Sequence, residues 1–65
     1  MIEYHYIISV RTSQGAGHTL AGTVSVREGS TRQEAFHGVL AITQEEIDTR
    51  GSFEVTFFAF EPNRL

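Results

Sequence analysis

The side chains in this sequence with acid–base or metal-binding chemistry are three histidines, His5, His18 and His37, and eight carboxylates. Glu3 and His5 stand two apart, the spacing that puts both on one face of a strand, where a carboxylate and an imidazole can form an acid–base couple. An enzyme reading joins them to Arg11 in a site formed between subunits. Against it, none of Ser9, Ser13, Ser25, Ser30 and Ser52 sits in a nucleophile elbow, and no catalytic residue is assigned. A zinc site needs three or four ligands that converge. His5 falls on the outward face of a strand, His18 near a loop tip and His37 on the polar side of a helix, so no metal or cofactor is expected. The stretch QGAGHT carries Gly15 and Gly17, but a strand follows them instead of a helix and the chain has no lysine, so it reads as a hairpin tip and not a phosphate cradle. Glu45, Glu46 and Asp48 form an acidic run of the solvated kind.

The elements that would position these groups are legible from periodicity. Ile2 to Val10 alternates, with Ile2, Tyr4, Tyr6, Ile8 and Val10 on one face, and Thr19 to Arg27 alternates again. The loop between them, RTSQGAGHT, predicts a hairpin with a flexible tip. Ser30 with Gln33, and Thr31 with Glu34, both fit a helix-capping box. Ala35, Phe36, Val39 and Leu40 then recur on one helical face, with Arg32, Gln33, Glu34 and His37 left to water. Gly38 within that helix suggests close packing against the sheet. The helix runs on toward Ile47, or a separate turn begins at Thr43, and Arg50-Gly51-Ser52 breaks what precedes the last strand. The pattern predicts an α+β fold: one domain over residues 1–65, in β-β-α-β order, a three-stranded sheet with the first strand central and one helix on one face. Whether the last strand is parallel or antiparallel to the first stays open. Tyr4 and Tyr6 are expected beneath the helix, against Phe36 and Leu40.

The last strand, Phe53 to Phe60, holds an anomaly. Alternation puts Phe53, Val55, Phe57 and Ala59 on the core face, which leaves Phe58 and Phe60 beside Glu54 and Thr56 on the wet one. With His5, Ile7 and Ala21 they predict an apolar interface on the back of the sheet. A chain of 65 residues without cysteine has a small core and no disulfide, so self-association is the expected source of added stability. Self-association through the sheet face or edge is the first expectation, and another protein as partner the second.

The stretches YHYIISV, AGTVSVREGSTRQEAF and FFAFEPNRL resemble a group of short uncharacterised actinobacterial proteins with a Tyr-aromatic-Ile-Ile start, a Gly-Thr-Val strand and a Phe-Phe-x-x-Glu-Pro-Asn end. The resemblance implies a bacterial protein and no particular activity. The net charge of −3, with all basic residues arginines spread singly, disfavours nucleic acid, and a sheet that stacks bases on Phe58 and Phe60 ranks third. No long apolar run or signal-type start is present, so no membrane contact and a cytoplasmic location are expected. The function expected first is a small non-enzymatic interaction or regulatory module, homodimeric.

Overall fold

In the computed structural model, which describes residues 1–47 and 52–65, the first strand outruns its sequence pattern. β1 spans Ile2–Thr12 and returns at once as β2, Gly17–Val26. The Gly15 N–H donates to the Thr12 carbonyl and the Thr12 N–H to the Ala16 carbonyl, both at 2.9 Å. Gly15 takes φ 86°, the left-handed conformation that closes a three-residue hairpin loop. Most of the expected loop is therefore ladder, with Arg11 opposite Gly17.

β2 ends in a turn where the Ser30 N–H donates to the Arg27 carbonyl at 3.1 Å and Gly29 has φ 88°, as the third position of a type II turn requires. Of the two overlapping cap signals the chain uses Thr31 with Glu34. The Glu34 N–H donates to Thr31 Oγ1 at 3.1 Å, and the Thr31 N–H donates back to Glu34 Oε1 at 3.0 Å. The Thr31 hydroxyl also donates to Glu34 Oε1 at 3.1 Å, and the two bonds this carboxylate accepts, from the Thr31 backbone first and the hydroxyl second, favour its ionised form and hold the Glu34 pKa below its ordinary value. The helix α1, Arg32–Ile47, passes straight through Thr43. That threonine is fully buried, and its hydroxyl donates to the Val39 carbonyl at 2.8 Å, which satisfies it inside the core.

The last strand, β3, spans Phe53–Pro62 and runs antiparallel to β1, giving the order β2-β1-β3 with α1 on one face. The fold is thus a small α+β domain in β-β-α-β order with β1 central. The expected break at Arg50-Gly51 and the Asp48 carboxylate lie outside the described residues.

Tyr6, Ile8 and Val10 of β1 form the core beneath Val39 of α1, as the alternation predicts. The Tyr6 ring lies against β2 at Gly22, where a Cβ would come within 3.2 Å of the Tyr6 hydroxyl, so glycine is what gives this ring its space. Phe36 and Leu40 pack against the core that contains Tyr6, while Tyr4 stacks on Phe60 with centroids 4.7 Å apart and Phe36 also meets Phe58 edge-on at 4.7 Å. Gly38 corrects a second expectation. It is exposed, and a Cβ there would meet nothing within 4 Å, so close packing on the sheet does not explain it.

The largest correction concerns Phe58 and Phe60. Ser9 pairs with Phe57 but Val10 pairs with Val55, so Thr56 is an extra residue in β3, a β-bulge. Its Oγ1 donates to the Ser9 carbonyl at 3.1 Å. One inserted residue reverses the alternation beyond it. Phe53 and Val55 face the helix before the bulge, Phe58 and Phe60 face it afterwards, and both of the latter pack against the core. The residues left on the wet face are Phe57 and Ala59, which strict alternation places inside.

Candidate interaction surfaces

The back of the sheet can be read row by row from its register. Across β2, β1 and β3 the rows are Thr19, Ser9 and Phe57, then Ala21, Ile7 and Ala59, then Thr23, His5 and Glu61. His5, Ile7 and Ala21 therefore share the back face as expected, while Phe58 and Phe60 lie on the opposite one. What remains is a narrow apolar centre with one aromatic ring, Phe57, 55% exposed. Hydroxyls and charges border it: Ser9 Oγ and Thr19 Oγ1 share a hydrogen bond of 2.9 Å, and the Asn63 amide donates to Glu3 Oε1 at 2.8 Å. The paired-phenylalanine platform for stacking bases does not exist on this face.

Within one chain the residues of the enzyme reading do not all converge. Glu3 and His5 share the face with Arg11, but Arg11 lies six residues beyond His5 along β1, roughly 20 Å at the rise of a strand. Glu3 is held by Asn63, and Glu3 and Arg11 line separate hollows at opposite ends of the sheet. Among the described residues no cluster of three or more histidines and carboxylates could hold a metal ion, and no helix is long and apolar enough to cross a membrane.

The two edges of the sheet differ more than its faces do. The Thr12 N–H bond to Ala16 makes the even-numbered residues of β1 the hydrogen-bonding partners of β2, and the Asn63 N–H bond to the Glu3 carbonyl turns the odd-numbered ones to β3. By the same alternation Thr19, Ala21, Thr23 and Ser25 of β2 point their N–H and C=O groups away from the sheet. This edge is ten residues long and contains no Asp, Glu, Lys, Arg or Pro. β3 carries Glu54 and Glu61, is kinked by the bulge, and has Pro62, which lacks an N–H, among the residues whose backbone faces outward.

Beside the β2 edge runs a groove of about 270 Å³, walled by Val24 and Val26 on the strand and by Ala35, Gly38, Val39 and Ile42 on the helix. Sequence reasoning named pairing at a sheet edge without saying which one, and it put its interface residues on the back face because it looked for an excess of apolar side chains, whereas the signal at β2 is an absence of charge over ten residues. Comparison with protein-family profiles, with curated proteins and with solved structures finds no match to this chain.

Proposed function

We propose that this chain is a small non-enzymatic protein-interaction module that accepts an extended strand from another polypeptide along its β2 edge. The single observation behind this reading is the unguarded edge: soluble proteins blunt long edge strands with charge, proline or bulges, as β3 is blunted, and β2 has none of these. Strand addition draws affinity from main-chain bonds and selectivity from alternate side-chain pockets, and the groove between β2 and α1 supplies the second.

The test is a display library of random short peptides panned against the wild type and against Thr23→Pro. The substitution removes one outward N–H and leaves the β1 ladder untouched. Peptides captured by the wild type and lost by the variant support the reading. Capture that ignores the proline overturns it, and so does a failure to select peptides by a chain that stays monomeric, with its edge unoccupied.

A further inference from the structure

The edge reading leaves the occupant open, and four observations point to one. β2 carries no Asp, Glu, Lys or Arg, so two copies can lie antiparallel along Gly17–Val26 without placing carboxylates or guanidinium groups opposite each other. The core is small: only Tyr6, Ile8, Val10 and Val39 are buried apolar residues among those described, so the chain stands to gain from association. Gly38 is a helix-interior glycine with open space where its side chain would be, and nothing within one copy requires it. Finally, a stable interface buries on the order of 1,200–2,000 Å² in total, more than a strand edge alone provides. The groove walled by Val24, Val26 and Ile42 supplies apolar surface directly beside the edge.

Resting on that reading, we propose that the strand seated on β2 is the β2 of a second copy of this chain, antiparallel about a twofold axis close to Ala21 and Gly22. Overlap of the whole of Gly17–Val26 fixes the axis there. With the axis at Ala21, that residue faces the partner's Ala21 as a hydrogen-bonded pair, and Thr19 faces the partner's Thr23. Leu20 then falls opposite the partner's Gly22. The product is a continuous six-stranded sheet with both helices on one face.

The same geometry accounts for Gly38. Of the three strands, α1 lies nearest to β2. A helix over the β1–β2 pair stands about 5 Å from the axis at the usual strand spacing, so the two helices come within roughly 10 Å. At that separation a missing side chain at Gly38 lets the helices close on one another and seals the two grooves.

The experiment uses a charge pair at the axis. Ala21→Glu and Ala21→Lys each place like charges face to face in a symmetric dimer, and opposite charges when the two variants are mixed. Light scattering over a concentration series should give twice the chain mass for the wild type and a monomer with native circular dichroism for each variant. The equimolar mixture should recover the dimer at least about tenfold more tightly than either variant alone, a difference of about 1.4 kcal/mol. In the wild type, amide exchange at Thr19, Ala21, Thr23 and Ser25 should slow with rising concentration, a readout that stands even if a variant fails to fold. A wild type that is monomeric throughout, with those amides exchanging as fast as Gln14 in the loop, overturns self-pairing and leaves the edge reading to the displayed peptides. A dimer that survives in both Ala21 variants overturns self-pairing too, and if peptide capture also ignores Thr23→Pro the edge reading falls with it.

Discussion

β2 and β3 flank the same central strand, have the same length and hydrogen-bond to it in the same antiparallel sense, yet they finish the sheet in opposite ways. β3 packs Phe53, Phe58 and Phe60 against the core and closes its outer side with a bulge, two glutamates and a proline. β2 packs Leu20 and Val24 against the core, gives the Tyr6 ring its space at Gly22, and leaves its outer side bare. The difference teaches that the two strands divide the work. One supplies aromatic side chains that hold the domain together, and the other leaves a backbone edge open.

The strongest way to break this comparison is at Phe58. Phe58→Ala should cost about 3 kcal/mol, the lower end of the range for deleting a packed aromatic, because its ring contacts both Phe36 and Phe60. In a domain this small that is most of the stability, and urea unfolding should show it as a large fall in midpoint. The neighbouring Phe57→Ser should change the midpoint by no more than about 0.5 kcal/mol, as exposed substitutions do. A larger cost at Phe57 than at Phe58 would mean that the bulge is absent and that the strict alternation of the sequence was right.

A smaller effect tests the helix that walls the β2 groove. Thr31→Ala should cost about 1 kcal/mol through the lost cap. Its partner makes the cap sensitive to pH. The Glu34 carboxyl is held below its ordinary value in the folded chain, so its contribution is complete above the unfolded carboxylate range and disappears as pH falls through the lowered folded value. Thermal melts of the wild type and Glu34→Gln should therefore differ at neutral pH and converge in acid, and a gap that persists in acid would count against the capping box.

Two smaller changes sharpen the contrast between the edges. Gly38→Ala should raise the stability of the isolated monomer by about 0.5–1 kcal/mol, since the methyl meets open space, while weakening the dimer in light scattering. Deleting Thr56 should leave stability nearly unchanged, within about 1 kcal/mol, because Val55 and Phe57 already pair with adjacent residues of β1. What it removes is a guard. Size-exclusion profiles should then show species larger than the parent, and an unchanged profile would mean that the glutamates and Pro62 suffice.

The sequence carried most of this fold and little of the surface. β1, β2, the helix entry and the central place of β1 follow from periodicity and capping, since each is a local rule obeyed over many residues. β3 was misread because a bulge is a one-residue event, and a period of two has no means of absorbing it. The adjacent pair Phe57-Phe58 was the available sign: two large rings in succession require either one exposed ring or a slip in phase, and this strand has both. The direction of β3 depended on where the chain re-enters the sheet, which no local pattern states. Gly38 misled for a related reason, because glycine signals a close approach without saying whether the approaching chain is the same one.

The hydrogen-bonding pattern of β1 also bears on how the domain assembles over time. Its even-numbered residues are satisfied by a neighbour that a three-residue loop delivers, a closure among the fastest in protein folding, whereas its odd-numbered residues wait for a strand beyond the helix. During synthesis the hairpin and α1 therefore emerge with one flank of the central strand still unpaired. Until β3 arrives, the nascent chain has two open edges instead of one, and the slow step that ends this interval, the docking of Phe58 and Phe60 under the helix, is also the step that decides whether neighbouring nascent chains entangle.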